Sequence, residues 1–217
     1  MSNAVMEMVR NVNQTKEFYE KFKDIKFPSE TLKEILDAGR RAPSYHNRQN
    51  WKFVLVEDNT KDELYKRLNA YCTSYSNDIS ANTMKYLKES LKCIKDCNVF
   101  IILTMETDLF ETSGINFSNI MSMGACVENM ILMATERMLD VACIYIEDIE
   151  PVLPVMEEHL IDCCGIKLNN KRNKIVGGLC LGKEKEGVVK EQVPLQSIDS
   201  LTYKNDYILP VINLSDF

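Results

Sequence analysis

Two histidines and a single tryptophan in 217 residues leave several familiar chemistries short of parts. The eight cysteines include no Cys-x-x-Cys pair, and His46 and His159 stand far apart. Zinc and cluster sites need closer spacing, so no metal site is expected. No Gly-x-Gly-x-x-Gly occurs, which removes the usual adenine-dinucleotide fingerprint. No apolar run reaches the roughly 18 residues of a membrane helix. Positive charge is in deficit, with a formal net charge of −6, and no sustained basic face appears. A nucleic-acid partner is therefore not expected. The N-terminus shows no charged segment leading into an apolar one, so no secretory signal is expected. Repeats, low-complexity linkers and internal boundaries are absent too. The chain reads as one domain over residues 5–217 with an extended C-terminal tail. Residues 1–4, with Ser2-Asn3-Ala4, read as an expression remnant.

What remains is ordinary globular material, 45% apolar and 27% charged. Cys126, Cys143 and Cys180 fall inside apolar patterns, where a free thiol packs as a small hydrophobe. Reduced cysteines and a cytoplasmic location follow as expectations. Residues 6–22 read as a helix. A second helix is expected from Ser29 or Glu30 to Arg41, with Ser29 as N-cap or Thr31 and Glu34 as a capping box. Trp51 to Val56 alternates as a strand. Surface helices are expected over Lys61–Asn69 and Asn82–Lys95. Asn98–Met105 is apolar throughout, as in a strand covered on both faces. Phe117–Met138 reads as a central helix, apolar nearly all round. Val141–Glu147 reads as a strand, Glu150–Cys164 as a helix and Ile175–Gly182 as a strand whose Gly177-Gly178 admits a close neighbour. His159 is expected at a helix surface or boundary, without a catalytic role.

One stretch joins the second helix to the first strand: Ala42-Pro43-Ser44-Tyr45-His46-Asn47-Arg48-Gln49-Asn50-Trp51. Pro43 ends the helix, and Ser44, Asn47 and Gln49 crowd hydrogen-bonding side chains into one turn. The pattern Ala-Pro-Ser-x-x-Asn-x-Gln-x-Trp resembles a signature of the FMN-dependent nitroreductase family, which has Pro where this chain has Asn50. The resemblance continues elsewhere. Lys16 and Phe18 match the family's Arg-x-Ser-x-Arg/Lys-x-Phe stretch, with Val12 and Gln14 in place of Arg and Ser. Glu128-Asn129-Met130-Ile131-Leu132-Met133-Ala134 is similar to the family's Gln-Asn-Leu-Leu-Leu-Ala-Ala helix. Ile144-Tyr145-Ile146-Glu147 is similar to its strand end, with Asp148 replacing Gly.

The resemblance implies an α+β fold, a mostly antiparallel sheet flanked by helices, in an intertwined homodimer. It implies FMN held by Asn13, Gln14, Lys16, Pro43, Ser44, Tyr45, Asn47, Ile146, Glu147 and Lys190, with Lys183 and Lys185 as further candidates near the phosphate. It implies NADH or NADPH as reductant and a nitroaromatic, quinone or similar small acceptor, reduced by a ping-pong mechanism through flavin N5. The flavin then carries the chemistry, and no protein side chain is needed as acid or base. Two alternatives share the resemblance: another redox reaction on the same fold, such as dehalogenation, dehydrogenation or flavin cleavage, or a non-catalytic paralogue that has lost FMN.

Overall fold

The computed structural model describes residues 15, 17, 18, 25–106, 117–164, 173–184, 186 and 197. The chain divides into two compact units, Met1–Glu186 and Gly187–Phe217, and Ser197 alone is described in the second. The first unit holds all the named elements. In order these are α1 (Ser29–Arg40), a 3-10 turn (Tyr45–Asn47), β1 (Trp51–Glu57), α2 (Asp58–Ser74), α3 (Ala81–Asp96), β2 (Val99–Glu106), α4 (Phe117–Glu136), β3 (Asp140–Tyr145), α5 (Ile146–Ile149), a 3-10 turn (Glu150–Val152), α6 (Leu153–Cys164) and β4 (Asn173–Gly182). No helix among the described residues is long and apolar enough to cross a membrane.

The four strands form one antiparallel sheet in the order β1-β2-β4-β3. The apolar run of β2 sets its centre. Phe100 and Ile102 pack with α2, α3 and α6 on one face, where Leu64, Leu68, Leu87, Ile94, Met156 and Leu160 are buried. Ile101, Leu103 and Met105 point the other way, to Ile35 of α1 and Met123, Cys126 and Met130 of α4. A strand covered on both sides has no polar face to alternate with, so its sequence reads as continuous. The result is a mixed fold of two helical layers on an antiparallel sheet.

Close backbone approach is concentrated in β4. Gly177 has φ +142°, and a Cβ there would lie 2.7 Å from the Ile144 carbonyl oxygen. The β2–β4 register shifts next to it, between Leu103 and Thr104. A Cβ on Gly178 would lie 2.4 Å from Phe100 Cε2.

Several sequence expectations need correction. The residue preceding α1 is Pro28, without a side-chain capping bond, so Ser29 is the first helical residue and neither proposed cap forms. β3 stops at Tyr145, and Ile146-Glu147 open the short α5 instead of extending the strand. The charges of Glu147 and Asp148 suit a helix's first turn, which the alternation upstream concealed. Lys61 is buried, not a surface residue. Its Nζ donates to the carbonyls of Lys95 at 2.9 Å and Cys97 at 2.7 Å, tying α2 to the end of α3. A cation there meets the negative end of the helix. His159 is fully buried rather than at a boundary. Ser80 does cap α3, accepting from the Thr83 amide at 3.1 Å. The expected helix over residues 6–22 and the apolar tail lie outside the described residues, apart from Thr15, Glu17 and Phe18.

Candidate functional site

The turn between α1 and β1 is anchored at both ends. Ala42 and Trp51 are buried. Between them the chain is held by its own polar side chains. The Gln49 amide donates to Ser44 Oγ at 3.1 Å, and Gln49 Nε2 donates to Asn47 Oδ1 at 2.9 Å. Asn50 Nδ2 donates to the Glu106 carbonyl at 2.9 Å, which fastens the turn to the end of β2. The Tyr45 amide donates to Ser122 Oγ of α4 at 3.0 Å, and that hydroxyl donates to the Ser118 carbonyl at 2.6 Å.

This bracing holds an unfavourable backbone. His46, Asn47 and Gln49 have φ values of 49°, 54° and 47°. Left-handed non-glycine residues cost on the order of 1 kcal/mol or more each and persist only where their surroundings impose them. The strain has a visible consequence: Tyr45 and Asn47 are turned outward on a fixed frame. The Arg48 guanidinium stands 5.5 Å from the Tyr45 ring centroid. Such concentrated strain marks a functional turn more than a connector.

A cleft of about 350 Å³ lies between α3 and the edge strand β3. Tyr86, Glu89, Ser90 and Cys93 line it from α3, Ala142 to Tyr145 from β3, and Asp148 from α5. Thr15 closes it on a further side. The Thr15 amide donates to the Val141 carbonyl at 2.8 Å, so Thr15 sits at the free edge of β3. Thr15 Oγ1 both donates to the Glu17 carbonyl and accepts from the Glu17 amide, each at 3.1 Å. Glu17 in turn pairs with Lys92 of α3 at 3.2 Å. Phe18 is buried and bridges to Glu184.

Among the described residues the cleft does not hold an evident nucleophile. Burial, with a smaller contribution from Cys97, pushes the Cys93 thiol up to about 12. Its described charges are the carboxylates of Glu89 and Asp148. At the far end Tyr145 precedes α5 with no side-chain capping bond, and the amides of Ile146 and Glu147 are first-turn donors.

Pro43, Ser44, Tyr45 and Asn47 thus share the strained turn, and Ile146 and Glu147 share the start of α5, just past β3. These two groups are not drawn together within one chain: the turn bonds to α4 and β2, while the strand end borders the cleft beside α3. Asn13, Gln14, Lys16 and Lys190 lie outside the described residues, as does Lys185. Lys183 donates from Nζ to the Met138 carbonyl, which explains it as a tie to the end of α4. Sequence reading missed Thr15, which bonds to the edge of β3, and Ser122, which anchors the turn. Thr15 reaches β3 through its backbone amide and Ser122 reaches the turn through one hydroxyl, and neither bond has a local pattern to betray it. Among the described residues no group of acidic, histidine and cysteine side chains could hold a metal ion.

The sequence matches the nitroreductase family over residues 19–183. Solved structures share the fold. A nitroreductase with bound FMN from Bacteroides fragilis is 20% identical, with 90% of this chain and 96% of that one covered and a TM-score of 0.66. A BluB-like flavoprotein from Clostridium difficile is 14% identical, covering 93% and 99%, with a TM-score of 0.74. A variant of an FMN- and NADPH-dependent nitroreductase from a Sphigopyxis strain is 13% identical, covering 93% and 99%, with a TM-score of 0.70. No curated protein matches the sequence.

Proposed function

Since the chain belongs to the nitroreductase family, we propose that it is an FMN-dependent oxidoreductase, taking reducing equivalents from NADH or NADPH and passing them to a small acceptor such as a nitroaromatic or a quinone. The observation that supports this reading is the cleft beside β3, lined by Thr15, which precedes Lys16, and by Tyr145, which precedes the first-turn amides of Ile146 and Glu147.

The residues present fit a flavin. A heteroaromatic ring edge offers acceptors as well as donors, and the strand end supplies first-turn amides while Thr15, Tyr86 and Ser90 supply hydroxyls. The apolar backs of Ala142 and Ile144 suit the ring itself. When bound, FMN would supply two-electron hydride acceptance and donation. The chain's part is binding, orientation and charge. Lys16 would offset negative charge accumulating on the pyrimidine side of a reduced ring, and Lys190 with the N-terminal segment of Asn13 and Gln14 would meet the phosphate. Ser44 and Asn47, with Pro43 and Tyr45, would approach from a second subunit, because the turn lies apart from the cleft in its own chain.

A homodimer completes that arrangement. On α4, Phe117 is 84% and Met121 77% exposed, a strongly apolar face for an isolated chain. Free, buried thiols agree with a cytoplasmic location. The reading is tested by releasing flavin from the denatured protein and identifying it by chromatography. FMN is expected, with turnover of NADH or NADPH when a nitroaromatic or quinone is added. FAD, or no flavin even after reconstitution with excess FMN, would reject it.

A further inference from the structure

Arg48 is the charged residue of the strained turn that the flavin reading leaves without a task. Its own backbone is ordinary, with φ −68°, but it stands between Asn47 and Gln49, which are both left-handed. The bond from Gln49 Nε2 to Asn47 Oδ1, at 2.9 Å, joins the residues on either side of it. The Arg48 amide donates to the Tyr45 carbonyl at 3.1 Å. The backbone that carries this arginine is therefore fixed from both directions.

The side chain is placed as well. The Arg48 Cζ lies 5.5 Å from the Tyr45 ring centroid, and the same ring packs on His46 with centroids 4.1 Å apart. A cation–π contact consumes no N–H donor, and the planar fork of a guanidinium matches phosphate oxygens in pairs. Arg48 is exposed, and so is Tyr45 at 42%. A cation presented on a frame set in advance loses less freedom when a ligand arrives.

The two substrates make different demands on such a cation. A nicotinamide dinucleotide carries a doubly negative diphosphate, whereas a quinone or a nitroaromatic can be neutral. The chain is acidic overall, with a formal net charge of −6. The described charges lining the cleft are the carboxylates of Glu89 and Asp148, which offer an anion no attraction. Lys16 and Lys190 are assigned to the flavin. Arg41, just before the turn, pairs with Asp37 at 2.6 Å. The turn that closes the cleft thus brings Arg48 as its cation for the donor.

We propose that Arg48 binds the diphosphate of the nicotinamide donor at the cleft of the partner subunit, and so selects the reductant and not the acceptor. This role rests on the flavin site shared between two subunits.

The test uses the full chain reconstituted with FMN, its flavin content read by absorbance. ADP-ribose, which has the diphosphate and no nicotinamide, is titrated by calorimetry. Flavin reduction is followed by anaerobic stopped flow with NADH, NADPH and 1-benzyl-1,4-dihydronicotinamide, a donor without phosphate. Arg48→Gln changes an exposed side chain, so it is expected to fold. It should weaken ADP-ribose and the apparent affinity for NADH and NADPH by about tenfold, with the limiting reduction rate little changed. The phosphate-free donor should change by less than about twofold, and so should the KM of a neutral quinone. Arg48→Lys should recover part of the loss, because the charge returns without the fork. In the parent protein added salt should weaken ADP-ribose, and in Arg48→Gln that dependence should shrink. Unchanged ADP-ribose and donor affinities in flavin-loaded Arg48→Gln overturn this role and leave the flavin reading intact. An equal loss with the phosphate-free donor also overturns it, by making Arg48 a brace of the turn. ADP-ribose binding to the parent that is insensitive to salt does the same without any variant. Protein that takes up no FMN rejects the shared flavin site and this role with it.

Discussion

His159 and Lys61 are polar groups placed where the chain surrounds them with apolar side chains. Lys61 satisfies carbonyls at the end of α3. His159 engages the Thr60 backbone, and burial, with the nearby Arg67 charge, lowers its pKa below the ordinary 6.5. A histidine lowered in this way binds its proton more weakly folded than unfolded. Stability is therefore complete above the unfolded value and is lost as pH falls below about 6.5 toward the folded value. Denaturant midpoints measured between pH 7.5 and about 5.5 are expected to fall for the parent chain. In His159→Leu that slope should disappear over the same interval. Equal slopes in both proteins would place the proton uptake on another group.

At the scale of elements, glycines separate close packing from strain. At Gly39 the obstructing atoms are Cγ and Sδ of Met130 and Sγ of Cys126, side chains buried in the core. At Gly177 the obstruction is the Ile144 backbone carbonyl, and φ is +142°. Gly39→Ala should cost about 1 kcal/mol, because buried Met130 and Cys126 must shift while alanine favours the helix. Gly177→Ala should cost about 2 kcal/mol or more, because neither the carbonyl nor the φ can yield. Chemical denaturation of the two variants tests the order, and a larger loss at Gly39 would refute it. The same contrast explains what was legible in the sequence. Gly177-Gly178 announced close approach, and the apolar run of β2 announced burial on both faces. α1, α3 and α4 followed from 3.6-residue periodicity within a few residues. The end of β3 was misread because Ile144, Tyr145 and Ile146 suit a strand equally well. The burial of Lys61 was hidden because its partners are backbone carbonyls, which carry no sequence signature.

At the scale of the whole molecule, the residues of the turn and of the strand end were legible as motifs, and the distant partners that hold them were not. Ser44, Asn47 and Gln49 appear together because they bond locally. Thr15 and Ser122 act over long sequence distances, which periodicity cannot convey. The separation of the strained turn from the cleft beside β3 gives the dimer proposal a direct test. Met121 is 77% exposed and contributes little to the core of its own chain. In an isolated subunit, Met121→Glu should leave folding unchanged or slightly improved, since it removes exposed apolar surface. In a dimer packed through α4, the same carboxylate would be buried without a partner, which is strongly unfavourable. An interface of this apolar kind is expected to exceed about 2,000 Å² and to leave the separated subunit weak. Light scattering should therefore report a parent dimer and a monomeric or poorly folded Met121→Glu. Flavin uptake should fall with the dimer, because Ser44 and Asn47 would no longer reach the partner's cleft. A Met121→Glu protein that stays dimeric, or a folded monomer near 25.0 kDa that retains FMN, would refute the shared site.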